Sequence, residues 1–113
     1  MAHLVTAVIK PHKLDEVKAA LQAAGVHGLS VSEMQGYGRQ GGKSETFRGS
    51  EYTVEFVPKV RIEVLVVSAE AEAVVTLIAD TARTGKIGDG KIWSLALDDV
   101  TRVRTGEKGD EAI

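Results

Sequence analysis

An α+β fold with the element order β-α-β-β-α-β is what this sequence predicts, on three observations. Apolar strand-period segments alternate with two helix-period segments in that order. Each helical segment is followed by a glycine suited to stop it. A length of 113 residues suits a single domain, residues 1–113.

His3 to Lys10 predicts the first strand: Leu4, Thr6 and Val8 alternate with Val5, Ala7 and Ile9, so both faces are largely apolar. Pro11 ends it. Leu14 to Ala24 predicts a helix, with Leu14, Val17 and Leu21 on one face and Gly25 just beyond its end. Leu29 to Gln35 predicts the second strand, where Leu29, Val31 and Glu33 alternate with Ser30, Ser32 and Met34. Val60 to Val67 gives the clearest strand signal, with Val60, Ile62, Val64 and Val66 on one face. Ala69 to Arg83 predicts the second helix through Val74, Val75, Ile78 and Ala82, with Gly85 as its stop. Ile92 to Leu97 predicts a fourth strand, and Val100 to Arg104 reads as a short fifth.

This order is the ferredoxin-like split βαβ pattern: a four-stranded antiparallel sheet carrying two helices on one face. The other face then needs cover. Strands apolar on both sides point to self-association, for which a closed cyclic oligomer is the natural form.

The formal charge is −2, without the basic surplus of a general nucleic-acid binder, so no direct nucleic-acid partner is expected. There is no cysteine, hence no disulfide framework and no thiolate chemistry. The sequence shows no apolar run of membrane-spanning length and no signal-peptide core, so a cytoplasmic location is expected.

One stretch exceeds what a compact fold needs. Gly36 to Phe56, between the second and third strands, is rich in Gly, Lys, Arg, Ser and Thr. Loops longer than about 12–15 residues are uncommon and usually functional or disordered. A second Gly-rich run, Thr84-Gly85-Lys86-Ile87-Gly88-Asp89-Gly90-Lys91, has the ingredients of an anion cradle. Its glycines let backbone N–H groups approach phosphate oxygens, and its lysines neutralise charge. It is not a Walker A loop, because it follows a helix and lacks that spacing. A capped turn with solvated lysines explains the run about as well. Arg102 and Arg104 alternate, so in a strand both face one side and suit a polyphosphate, or else are two solvated arginines. Tyr52 suits a modification acceptor, or packs the loop back on the sheet. Lys59 either meets a carboxylate or flanks a strand. No Ser-His-Asp or Cys-His set is visible. His3, His12 and His27 lie in separate elements without zinc-ligand spacing. Asp98 and Asp99 are adjacent and do not suit paired-carboxylate catalysis.

Taken together, these stretches resemble the PII signal-transduction family nearly end to end. The resemblance is carried by Ile9-Lys10-Pro11, Lys13-Leu14-Asp15-Glu16-Val17, Gly36-Tyr37-Gly38-Arg39-Gln40 and Arg48-Gly49-Ser50-Glu51-Tyr52. Pro58-Lys59-Val60, the run Ala82 to Lys91, and Arg102-Val103-Arg104-Thr105-Gly106-Glu107 complete it.

The resemblance implies a homotrimer with nucleotide sites in the clefts between subunits. It implies a T-loop at about 36–56 that docks on partners, a B-loop at about 83–90 and a C-loop at about 102–113. Gly38, Arg39, Gln40, Gly88, Asp89, Gly90, Lys91, Arg102 and Arg104 look like the set for ATP or ADP. Gln40 and Lys59 look like the 2-oxoglutarate set, with Gln40 also ligating the Mg that joins the ATP phosphates to the keto acid. Tyr52 matches a tyrosine that a nucleotidyl-transfer enzyme uridylylates or adenylylates, and Ser50 stands where cyanobacterial members carry a phosphorylated serine. Phe47 replaces a second tyrosine, and Gly41-Gly42-Lys43 replaces a common Lys-Gly-His. The implied role is a regulator of nitrogen-metabolism targets rather than an enzyme, with slow ATP hydrolysis as a conceivable side activity. Family targets include ammonium channels, which recruit the protein to the membrane, glutamine synthetase modifying enzymes, acetylglutamate kinase and transcription factors. A small nucleotide hydrolase and a structural metal-tolerance-type trimer are the competing readings. The first lacks an evident general base, and the second leaves the long loop and the Thr84–Lys91 run unexplained.

Overall fold

Period-two apolar alternation produces the central strand β1, Ala2–Ile9, in which Val5, Ala7 and Ile9 are buried toward the helices. The computed structural model describes residues 1–37, 46–47, 51–52 and 56–113, the two short pairs by backbone alone. After β1, Pro11 opens a single 3-10 turn, Pro11–Lys13, that leads into α1, Leu14–Ala23. Proline suits this entry because its φ is preset and a helix start needs no N–H there. Helix α1 buries Val17 and Leu21. It ends where Gly25, at φ +93°, lets the Val26 N–H reach the Leu21 carbonyl at 2.9 Å and the Gly25 N–H reach the Gln22 carbonyl at 3.1 Å.

Strand β2 is Ser30–Gly36, and β3, Thr46–Phe47, pairs antiparallel with β4, Glu51–Tyr52. Strand β5, Val57–Val67, is the longest and buries Val60, Ile62, Val64 and Val66. Helix α2, Ala71–Ala82, buries Ala71, Val74, Ile78 and Ala82. Strand β6 is Lys91–Ala96. The main sheet runs β2-β5-β1-β6. All its pairings are antiparallel, with Val5 opposite both Val64 and Ser94 and Ile62 opposite Val31. The helices cover one face, so the fold is the ferredoxin-like arrangement expected from the sequence.

Strand β5 begins three residues before the expected Val60 and runs through Pro58. Proline is tolerated there because β1 stops at Ile9, opposite Val60, leaving only β2 beside residue 58. The expected fifth strand at Val100–Arg104 does not form. Among the described residues this segment makes only an isolated bridge, Thr101 to Lys108. Its backbone folds back on itself: the Gly106 N–H donates to the Arg102 carbonyl at 2.8 Å, with Gly106 at φ +80°. A turn therefore replaces the strand, and the alternation of Arg102 and Arg104 does not place them on one face of a sheet.

The face away from the helices remains uncovered in one chain. Trp93, Leu95 and Leu65 are 43%, 55% and 40% exposed there. Thr6, on the same face, is buried and donates to Glu63 at 3.2 Å. Ile78 is fully buried between α2 and the sheet. We expect Ile78→Ala to lower stability by about 2–5 kcal/mol, a large share of the roughly 5–15 kcal/mol of an ordinary domain. Urea unfolding should show a lower midpoint at unchanged slope; a shift of under 1 kcal/mol would show that the core is not continuous at this position.

Candidate functional site

The site forms where β1 ends. The chain leaves β1 at Lys10, and the turn between α2 and β6 comes to rest on the strand end. Gly90 lies so close to β1 that a Cβ there would stand 1.8 Å from the Val8 carbonyl oxygen. Gly90 is at φ +99° and Gly88 at φ +98°, a region glycine alone occupies cheaply. Between them, Asp89 turns its carboxylate into the loop. One oxygen accepts the Thr84 and Gly85 N–H groups at 2.8 and 2.9 Å. The other accepts the Thr84 hydroxyl and faces the Lys10 ammonium at 3.3 Å. The Thr84 hydroxyl in turn accepts the Lys86 N–H and the Lys10 ammonium, each at 3.1 Å. The Thr84 hydroxyl first, then the two N–H groups and Lys10, hold the Asp89 carboxyl far below the usual carboxylate range, against the opposing effect of desolvation.

Lys59 stands beside this turn. It is 6% exposed, unusual for a lysine, and its ammonium donates to the Gly88 carbonyl. Burial lowers its pKa, the nearby Lys10 charge lowers it further, and Asp89 partly opposes them. A carboxylate placed against Lys59 would relieve that cost, because it favours the charged form.

Turn, Lys59 and sheet border an open cavity of about 850 Å³, lined by Tyr37, Lys59, Gly88, Gly90, Lys91 and Trp93 among others. That is within the size range of small-molecule sites. Its chemistry fits an anion. Lys59 and Lys91 line it, and the Asp89 carboxylate, also on its wall, is engaged inside the turn. At its rim the Tyr37 and Phe56 rings meet edge to face, 5.6 Å apart at 77°. These rings close the base of the segment that runs from β2 to β5.

Gly88, Asp89, Gly90, Lys91 and Lys59 are thus brought together. Gly38, Arg39, Gln40 and Ser50 lie outside the described residues, and Tyr52 is described by its backbone in β4. Arg102 and Arg104 are not brought to the cavity. Strand β6 carries the chain from the cavity to the opposite end of the sheet, roughly 17 Å at about 3.3 Å per residue. There Arg102 is engaged with the Glu107 carboxylate and with the Ile113 carbonyl at 3.3 Å. Sequence reasoning missed Lys10, whose signal was a cation at the very end of a strand, and Trp93. The latter was legible as the residue two beyond Lys91, on the same strand face. Among the described residues no group of three or more His, Asp or Glu converges to hold a metal ion, and no helix is long and apolar enough to cross a membrane.

Comparison with known proteins agrees with this architecture. The family model described as Nitrogen regulatory protein P-II matches residues 2–107. The chain is 54% identical over 109 residues to the Nitrogen regulatory protein P-II of Cereibacter sphaeroides, covering 96% of this chain and 97% of that one. It is 55% identical over 109 residues to the protein of the same name from Synechocystis, with the same coverage. The crystal structure of Arabidopsis thaliana PII bound to citrate superposes with a TM-score of 0.81 at 38% identity, covering 99% of this chain and 92% of that one.

Two outcomes follow from the turn. Gly90→Ala should lose more than about 3 kcal/mol, since a positive φ and a backbone clash combine, whereas Gly85→Ala, at φ +84° with open space, should lose roughly 1–2 kcal/mol. Equal losses in thermal unfolding would refute the close packing on β1. The second concerns acid. Asp89 has a folded-state pKa below its unfolded one, so its contribution is complete at neutral pH and is lost as pH falls through the folded value. Stability measured from about pH 4 downward should therefore fall less steeply in Asp89→Asn than in the parent; parallel acid limbs would contradict the assigned network.

Proposed function

The chain belongs to the nitrogen regulatory protein P-II family, and from that membership we propose that it is a signalling protein that binds ATP or ADP and, with MgATP, 2-oxoglutarate. The observation that carries this reading is the convergence of the Gly88–Lys91 backbone, Lys91 and buried Lys59 on one anion-suited cavity. The Gly-rich turn is pre-shaped: its inward carboxylate is neutralised, and its glycines allow a phosphate to approach the backbone. Lys91 neutralises phosphate charge, and Lys59 receives a carboxylate of the keto acid. Gly38, Arg39 and Gln40, beyond Tyr37 at the cavity rim, complete the nucleotide set. Gln40 is the residue that would hold Mg, and the metal would supply positive charge to offset the phosphates and the keto acid. The citrate bound by the Arabidopsis PII is a carboxylate ligand of the same broad chemistry.

The site is completed by a second copy. Arg102 and Arg104 stand at the far end of their own sheet, so they reach a polyphosphate only on a neighbouring subunit. The uncovered face with Trp93, Leu95 and Leu65 supplies the apolar surface for that assembly, a homotrimer closed by rotation. The output is regulation rather than catalysis, since the Asp89 carboxylate on the cavity wall is committed to the turn. The segment 36–56 is the reporter. Its base senses the ligands, and its tip docks on nitrogen-metabolism targets such as an ammonium channel, a glutamine synthetase modifying enzyme or acetylglutamate kinase. Nucleotidylation of Tyr52, or phosphorylation of Ser50, blocks that docking by adding bulk and charge. The protein works in the cytoplasm and reaches the membrane through a channel partner.

Calorimetry tests the reading. 2-Oxoglutarate should bind at least about tenfold more tightly with MgATP than without it, and reciprocally; equal affinities would refute a shared site for the two ligands. Lys91→Ala and Arg102→Ala should each weaken ATP by about tenfold or more. Co-expressed, the two variants should regain a class of sites with parental affinity, because an intact cleft then forms from one unmutated half of each. If no such class appears, the two residues do not meet across subunits.

A further inference from the structure

We infer that Lys10 is a positioning residue of the cleft: it clamps the 84–90 turn onto the end of β1 and cancels the one anion built into the phosphate-facing loop. The inference rests on the reading of the cleft as an anion site and assigns work to a residue outside the ligand set. Lys10 precedes Pro11, and its backbone is extended at φ −66°, ψ 136°. The side chain crosses to the turn, where its ammonium touches both the Thr84 hydroxyl and the Asp89 carboxylate. Both partners are largely shielded, with 22% and 24% of their side chains exposed, so the pair is screened less than an open surface pair.

The geometry gives Lys10 two separable effects. The first is mechanical. The Thr84 hydroxyl donates to Asp89 and accepts from Lys86 and Lys10, so one cation orients the hydroxyl that organises the turn. Gly90 is already pressed on Val8, and Lys10 fixes the same turn to the next residue but one of the strand end. The second is electrostatic. Asp89 lies on the wall of the cavity, and an uncompensated carboxylate there would repel a polyphosphate. Lys10 neutralises it from within the turn, since Lys10 touches Asp89 but is not among the residues that line the cavity. The charged groups facing Lys10 are therefore Asp89 from the turn and Lys59 from β5.

The test uses the full-length protein in three variants: Lys10→Met, Lys10→Arg and the double variant Lys10→Met with Asp89→Asn. Amide hydrogen exchange at Thr84 and Gly85 is read without ligand, and ATP affinity by calorimetry. In Lys10→Met those two amides should exchange at least about tenfold faster and ATP should bind about tenfold more weakly, with the core helices protected as in the parent. Lys10→Arg should restore both, because a guanidinium can still meet Thr84 and Asp89. The double variant should recover ATP affinity relative to Lys10→Met, since the repelling charge is gone, while its turn stays loose. Unchanged exchange at Thr84 and Gly85 in Lys10→Met, or no rescue by arginine, overturns the proposal. If the parent binds no ATP, the reading of the cleft fails by itself, and the exchange data still decide whether Lys10 holds the turn.

Discussion

The close packing of the Gly90 backbone against the Val8 carbonyl is the constraint on which the site depends. It is possible only because β1 stops at Ile9 and its chain turns away at Pro11, leaving the end of the sheet open beside β5. Into that opening fits a turn that no residue with a Cβ could form at position 90. Once it is seated, Asp89 is drawn inward to Thr84, Gly85 and Lys10, and Lys59 is buried against the Gly88 carbonyl. A strand end, a missing methyl group and an inward-turned carboxylate together produce a cationic cavity in a chain whose net charge is −2.

The same sheet that builds the cavity separates its parts. Antiparallel pairing sends β6 away from the cavity, so the C-terminal arginines are carried to the opposite edge of the subunit. The exposed Trp93 and Leu95 lie along that path, on the face the helices leave bare. In the proposed trimer, assembly and ligand recognition would therefore draw on a single element. On that proposal, a change that disturbs how copies meet along β6 would also disturb the reach of Arg102 and Arg104 into a neighbour.

Much of this was legible in the sequence because period-two and helical patterns report burial directly. Val60, Ile62, Val64 and Val66 announced β5, and Val17 with Leu21 announced the buried stripe of α1. The order of elements then implied the sheet, and the family resemblance was confirmed by the comparisons. What failed was governed by tertiary context. The strand signal begins at Val60, yet β5 starts at Val57 and passes through Pro58, where β1 has already ended. Arg102 and Arg104 alternate like strand residues, but Gly106 turns the chain and hydrogen bonds to Arg102 replace a ladder. Lys10 reads only as the last residue of the first strand. Only the fold, by bringing residue 84 and residue 89 beside residue 10, reveals its partners.

The meeting of Tyr37 and Phe56 has a consequence for how such a protein diversifies. With the two rings in contact and Gly36 paired to Val57, the ends of the intervening stretch are fixed by the sheet itself. Closing a longer stretch between fixed ends costs little, about 0.6 kcal/mol for each doubling of its length. Insertions, deletions and wholesale replacement between those rings thus leave the scaffold nearly indifferent. If that stretch is the reporter proposed above, the molecule is a socket with an exchangeable plug: descendants acquire new correspondents by rewriting that stretch alone, while the scaffold beneath it is inherited intact.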